Sequence, residues 1–224
     1  MLTLFGNLDS GNVHKVQMIL ARRGLPFRRV DVRQDRGQPR DPRYLALNAM
    51  GKVPALLFDD GDMISDSGAL LFHFARGTPL WPDDGRTQTE VLRWMFFEQY
   101  SHEPSLAVLR YLKRFSPDLQ AEAKRIADLD RRSRFALGVL QSTLAGRDWI
   151  AGREPTIADY ALYPYTAMAG EIGLEIAHWP AVADWLARIA TLPSFMPIYT
   201  DAAAEVVPFE SYFTATGPGP VSSP

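Results

Sequence analysis

Three short stretches of this 224-residue chain set polar side chains beside backbone donors that a helix or strand leaves open. In "LDSGNVHKVQMIL", residues 8–20, Ser10, Gly11 and Asn12 stand before an apolar repeat at helical spacing, Val13, Val16, Leu20 and Ala21. The first N–H groups of a helix have no partner inside it, and the helix dipole favours an anion at that end. Simple capping by Asp9 or Ser10 accounts for the same residues. In "NAMGKVPALLF", 48–58, Pro54 opens an apolar run that reads as a strand, where a proline removes a ladder donor. A cis bond there would turn the chain and aim the carbonyl and N–H of Val53 outward; a trans bond makes an ordinary strand start. In "SDSGALL", 65–71, Asp66 and Ser67 begin another helical stretch, placing a carboxylate and a hydroxyl beside backbone donors, and an N-cap pair explains them as well.

The elements that must position these pieces alternate over the first part of the chain. "LTLFG", 2–6, reads as a strand, the helix after Ser10 is stopped by Gly24 and Pro26, and "FRRVDV", 27–32, alternates as a second strand. This is a β-α-β unit, whose right-handed crossover makes the two strands parallel. "PALLFDDGDMIS", 54–65, folds around Asp60-Gly61 as a hairpin, and a helix over 66–77 ends at Gly77 and Pro79. Strand signals then nearly vanish, and helical segments follow at about 87–114, 117–145, 156–172 and 179–191. Pro104 should kink the first of them by removing one backbone bond and freeing the carbonyl of Tyr100. Thr156 and Asp159, with Pro155 before them, form a capping-box-like helix start whose role is in folding. The expected organisation is an α/β domain over 1–78, a linker over 79–86, an all-helical domain over 87–204 and a C-terminal tail over 205–224, either loose or lying as a flap on the body.

Composition narrows the chemistry. The chain has no cysteine, which excludes disulfides, thiolate metal sites and thiol chemistry by its own side chains. Its four histidines, His14, His73, His102 and His178, lack ligand spacing, so no metal is expected. A net charge of −2 gives no reason to expect nucleic acid or an acidic membrane as partner, and the Arg22, Arg23, Arg28, Arg29 cluster reads as a solvated face. No apolar run approaches a membrane span, and the N-terminus reads as a strand, not a signal peptide. A cytoplasmic location is expected.

The order and spacing of these signals resemble the glutathione S-transferase family, of the cytosolic, bacterial-like kind with a Ser/Asn-type active site. "SGNVHKV", "GKVPAL" and "SDSGALL" carry the resemblance in the first half, "FFEQYSHEP" (96–104) and "PTIADYALYPY" (155–165) in the second, and together it covers roughly residues 2–200. The resemblance implies a thioredoxin-like N-terminal domain (βαβ–ββα) followed by an all-α domain, and glutathione as co-substrate. By the same likeness Ser10 would hydrogen-bond the glutathione sulfur, and Asn12 matches a position used for that task in some bacterial members. Val53, before a cis Pro54, would pair its backbone with the cysteinyl backbone, and Lys52 would face the glycyl carboxylate. Asp66 would hold the γ-glutamyl ammonium and Ser67 its carboxylate, although many relatives carry a longer Glu or Gln where Asp66 stands. Tyr100, His102 and Tyr111 would line the second-substrate pocket, or, for the residues at the bend, satisfy the kink and pack at an interface.

A thioredoxin-like fold would use a cysteine near this helix start, where the chain has Ser10, so the sulfur must come from the ligand. A free thiol of pKa about 8.5 is only about 3% ionised at pH 7, and lowering it by about two units needs roughly 2.7 kcal/mol. A helix N-terminus contributes about 0.3–1 kcal/mol, or up to about 2 when partly buried. A hydrogen bond to the charged sulfur adds about 1.5–3 kcal/mol, which is why a donor such as Ser10 Oγ or Asn12 Nδ2 is needed. The implied function is a detoxification-type transferase that activates glutathione for attack on an electrophile or for exchange with a disulfide. It is expected to act as a homodimer on a small electrophilic or disulfide substrate. The alternative is a non-catalytic binding module of the same fold.

Overall fold

The computed structural model of the chain describes residues 1–216 and divides into two compact units, Met1–Leu70 with the chain from Tyr199 onward, and Leu71–Ile198. In the first unit β1 (Leu2–Phe5), α1 (Gly11–Arg22) and β2 (Phe27–Asp31) form the β-α-β unit, with β1 and β2 parallel. Val13, Val16, Ile19 and Leu20 of α1 are fully buried, as are Leu4, Phe5 and Val30 of the strands. The helix closes at Gly24, in the left-handed region at φ 63°, where the Gly24 N–H bonds the Ala21 carbonyl and the Leu25 N–H the Leu20 carbonyl. A short α2 (Pro42–Leu47), capped by Asp41, precedes β3 (Ala55–Leu57) and β4 (Met63–Ser65), an antiparallel hairpin turning at Asp60–Gly61. Then comes α3 (Ser67–Ala75).

Residues 205–216 are not a tail. Glu205–Pro208 form β5, parallel to β2, so the strand order is β4-β3-β1-β2-β5, and Phe209–Thr216 form α9. Tyr212 of α9 packs edge-on against Phe5 with ring centroids 5.1 Å apart, under the Arg28 guanidinium. Arg43 lies over both Phe209 and Phe213. The expected tail therefore completes the sheet unit, and its last part, 217–224, lies outside the described residues. Residues 199–204, expected with the helical domain, also belong to the sheet unit. The other division falls inside α3 and not at 79–86, because the last turns of α3 run on into the next: Phe72 meets Trp81 edge-on at 4.8 Å, and Thr78 and Trp81 continue the chain of backbone bonds.

The second unit is helical, with α4 (Gly85–Phe97), α5 (Glu103–Phe115), α6 (Ala123–Leu144), α7 (Ile157–Ala167) and α8 (Pro180–Ile189) around buried Trp94, Leu109, Leu137, Leu140 and Trp185. The expected kink at Pro104 is a π-helical turn over Glu98–His102, in which the Glu103 N–H reaches the carbonyl of Glu98. One extra residue in the turn accommodates the missing proline donor. Residues 117–122 are not helical, because the Asp118 carboxylate takes the N–H groups of Gln120 and Ala121 and holds a turn, so α6 begins at Ala123.

The capping box is present, with Thr156 and Asp159 answering each other's backbone. Asp159 is fully buried and accepts from the N–H of Ile150 at 3.0 Å, the N–H of Thr156 at 2.9 Å and Trp185 Nε1 at 2.9 Å. Burial pushes its carboxyl up to about 6, against the opposing pull of these donors. Its folded value thus lies above the ordinary carboxyl range, so folding takes up a proton, and this group's contribution grows as pH falls through about 6 toward 4. Asp159→Ala strands three buried donors at about 1 kcal/mol or more each. A loss of about 3 kcal/mol in urea unfolding is expected, larger near pH 5 than near pH 8, with glutathione affinity largely spared; an unchanged melting temperature would contradict this.

Candidate active site at one end of the sheet

Strand register brings the three polar stretches together. Phe5, the last residue of β1, pairs with Ala55, the first of β3, and Ala55 pairs with Ser65, the last of β4. Residues 6–10, 53–54 and 66–67 therefore all leave the sheet at the same end. Two strand spacings, about 10 Å, separate the outer two exits. An extended tripeptide spans about the same distance.

The loop out of β1 is tied at nearly every peptide. The Gly6 N–H donates to Val30 O at 3.0 Å, and Arg29 Nη1 donates to Gly6 O at 2.8 Å. Gly6 lies at φ 155°, and a Cβ there would collide with Val13 Cγ2. Asn7 Nδ2 donates to Val32 O at 2.8 Å, its Oδ1 accepts the Asp9 N–H at 3.0 Å, and its carbonyl accepts the Ser10 N–H at 3.3 Å. Ser10 is then the N-cap of α1: its Oγ accepts the Val13 N–H at 3.3 Å. A hydroxyl that accepts in a cap keeps its own proton to give elsewhere. Capping and donation to a sulfur are thus compatible roles for Ser10. Asn12 lies in the first turn of α1, half-buried.

The Val53–Pro54 bond is cis. The ladder starts one residue later, at Ala55, which leaves the Val53 peptide outside the register. The chain before it is held by a pair of side chains that the sequence reading missed. Tyr44 Oη donates to Lys52 O at 2.7 Å and Asn48 Nδ2 to the same oxygen at 2.8 Å. Burial pushes the Tyr44 phenol up to about 12, so it stays a donor throughout the ordinary pH range. With its carbonyl fixed, the exposed Lys52 side chain points its charge to solvent at this end of the sheet.

Asp66 adopts φ 84°, the left-handed region that a non-glycine residue occupies at a cost of about 1–3 kcal/mol. Its Oδ1 accepts the N–H groups of Gly68 at 2.8 Å and Ala69 at 3.1 Å, capping α3, while the carboxylate itself is exposed. Ser67 follows, buried at the first position of the helix. One carboxylate oxygen of Asp66 serves the helix, and the other lies outside the cap.

The three residues expected around a second-substrate pocket fare differently. Tyr111 is 46% and Tyr100 83% exposed. His102 is fully buried, with Nε2 2.9 Å from Thr166 Oγ1, so it packs inside the helical unit and has no surface for a substrate. The π turn rotates His102 inward, which a plain proline kink did not foretell. Arg29 is a similar correction: expected on a solvated face, it is buried among carboxylates. Asn7 carried a readable signal, an Asx turn directly after a strand. Among the described residues, no group of three or more His, Asp or Glu could hold a metal ion, and no helix is long and apolar enough to cross a membrane.

Comparison with known proteins places this geometry. Residues 9–76 match the N-terminal domain and residues 100–193 the C-terminal domain of glutathione S-transferases. A glutathione S-transferase structure from Xanthobacter autotrophicus is 43% identical, with a TM-score of 0.85, over 88% of this chain and 97% of that one. A glutathione transferase from Burkholderia graminis, solved with two glutathione molecules bound per subunit, is 28% identical with a TM-score of 0.74, over 86% of this chain and 85% of that one. The transcriptional regulator URE2 of Saccharomyces cerevisiae is 26% identical over 86% of this chain, which spans about two thirds (66%) of that relative's length. Both domains match in order, and a solved relative matches along nearly its whole length: the chain belongs to the glutathione S-transferase family.

Proposed function

We propose that the protein binds glutathione at the Phe5–Ala55–Ser65 end of the sheet and ionises its thiol for transfer to an electrophile or for exchange with a disulfide. The observation that carries the reading is the convergence of Ser10, Val53 and Asp66–Ser67 at that end, each with backbone or side-chain groups turned out of the sheet. In this reading the Ser10 hydroxyl, supported by the N-terminus of α1, donates to the sulfur, and Asn12 is the second candidate donor. The Val53 peptide pairs with the cysteinyl backbone beside Pro54, and Lys52 faces the glycyl carboxylate. Asp66 and Ser67 take the γ-glutamyl ammonium and carboxylate. On ionisation the thiol proton leaves to solvent; the oriented thiolate then attacks carbon, expelling that carbon's leaving group or adding across its activated double bond, or attacks one sulfur of a disulfide and releases the other as a thiolate.

Bound glutathione in a Burkholderia relative, two molecules per subunit, supports the ligand and favours including glutathione-linked disulfides among the substrates. The URE2 relatives favour a second reading, binding without turnover. A reduced glutathione pool is a cytosolic condition, consistent with a cytoplasmic role. The proposed assembly is a homodimer. Its support is an apolar stripe on α4, where Leu92 is 41% and Phe96 68% exposed at positions i and i+4, a spacing that puts them on one helix face.

Incubation with glutathione and a panel of electrophiles and disulfides tests the reading. Ser10→Ala is expected to lower kcat/KM by about 10–100-fold and raise the bound thiol pKa by about 1–2 units, with Kd for glutathione changed less than about threefold. If Asn12→Ala shows that loss and Ser10→Ala does not, Asn12 is the sulfur donor. Glutathione uptake without turnover of any panel member would support the binding reading, and no uptake would end both. For the assembly, Phe96→Lys is expected to halve the mass measured by light scattering; an unchanged mass would place the interface elsewhere.

A further inference from the structure

The loop that carries Ser10 is fastened to a residue far down the chain. Arg29 of β2 is buried, and all three nitrogens of its guanidinium donate: Nε and Nη2 to Asp201 Oδ2, at 3.0 and 2.8 Å, and Nη1 to Asp31 Oδ1 at 2.7 Å and to Gly6 O at 2.8 Å. A buried guanidinium needs such pairing to be tolerated. Burial opposes the Arg29 charge, yet Asp201 and Asp31 more than offset it and hold its pKa above the ordinary arginine value. Two donors on a single Asp201 oxygen fix the plane of the fork, and a fixed plane aims Nη1 at the Gly6 carbonyl. Asp31 cannot do this alone, because it meets only Nη1.

The same segment also grips α1, the helix that the loop enters, and β2, the strand beside β1. Asp201 Oδ1 accepts the Ala203 N–H at 3.1 Å, the Ala202 N–H donates to Gln17 Oε1 of α1 at 3.0 Å, and the Ala204 N–H donates to Phe27 O of β2 at 2.9 Å. Gln17 lies seven residues after Ser10, two helical turns along the same face.

We propose that Asp201, acting through Arg29, is a positioning residue for loop 6–10, so that the segment after Tyr199 sets how Ser10 is presented to the sulfur. The proposal rests on the glutathione reading for its chemistry but not for its geometry. Ser10 reaches Gly6 through two peptide contacts, the Asn7 carbonyl and the Gly6 carbonyl, so a loosened Gly6 loosens the cap.

The test compares the full chain with Asp201→Asn, which keeps the shape and removes the charge, and with Asp201→Glu, which keeps the charge. Glu210→Gln is the control: it weakens the Arg43 contact of the same C-terminal region without touching Arg29. Amide exchange in the ligand-free protein is expected to quicken about tenfold across residues 6–13 in Asp201→Asn and to stay at the wild-type rate there in Glu210→Gln. With glutathione bound, the thiol pKa read by ultraviolet absorbance is expected to rise by about half a unit or more in Asp201→Asn, to recover in part in Asp201→Glu, and to leave Kd within about threefold. Exchange that quickens only after residue 198, with 6–13 unchanged, overturns the proposal. So does equal quickening of 6–13 in Glu210→Gln, which would mark general loosening. A wild-type protein that does not ionise glutathione overturns the functional reading instead, and the exchange measurement then decides the coupling by itself.

Discussion

The register of β1, β3 and β4 is the constraint on which the site depends. Leu4 and Leu56 face each other across the ladder and are both fully buried, so the pairing Phe5–Ala55–Ser65 is enforced by the core. A slip of one residue would turn every side chain of a strand to the opposite face. Exposing Leu4 or Leu56 in that way costs about 1.5–3 kcal/mol for each side chain. Because β1 and β4 end where β3 begins, the same register that packs the leucines also delivers a loop, a cis-proline turn and a helix cap to one place. The convergence of the three segments is thus a consequence of core burial, and side-chain contacts outside the ladder then fix how each segment is held.

That end of the sheet holds polar side chains already half-used by the helices they cap. Ser10 caps α1 and Asp66 caps α3, so each is immobilised before a ligand arrives. An oriented hydroxyl loses less freedom on binding than a free one, and the α1 dipole acts on the same point. The φ of 84° at Asp66 fits this picture: the helix cap holds the carboxylate in a backbone conformation that it would not adopt alone. Tyr44 and Asn48 do for the Lys52 carbonyl what Asn7 does for the loop after β1, fixing a peptide by side-chain donors where the sheet has run out.

Much of this was legible in the sequence, and the reasons for the gaps are physical. The Asp60–Gly61 hairpin and the Thr156–Asp159 box rest on contacts within a few residues, which local patterns encode; the β-α-β unit shows in its periodicities and chain order, and the cis bond at Pro54, which the residues alone leave open, is what the family resemblance implies. The strand at Glu205–Pro208 was missed because it is short, largely exposed and ends in proline, and it is recognised only by pairing with β2 far back in the chain. The Arg29–Asp201 pair, 172 residues apart, leaves no local trace; an arginine in "FRRV" looks like surface until its carboxylate is found. His102 failed for a different reason. A proline signals that a helix must adjust, but whether by a kink or by a π turn is settled by packing, and that choice decides which side chains turn inward.

The chain order gives the sheet unit one further property. Residues 71–198 form a separate helical unit, and only after it does the chain return to supply Asp201, β5 and α9. Until then Arg29 would be a guanidinium buried with Asp31 as its sole carboxylate, an arrangement that a low-dielectric interior penalises. Phe5 would likewise lack Tyr212 over its ring. Contacts of such long sequence separation carry a larger loop-closure entropy than local ones. The end of the sheet that presents Ser10 is therefore completed by the same segment that pairs with the edge of β2, and only through contacts of long sequence separation. A polypeptide lacking its final strand would keep the residues of the site without the framework that aims them.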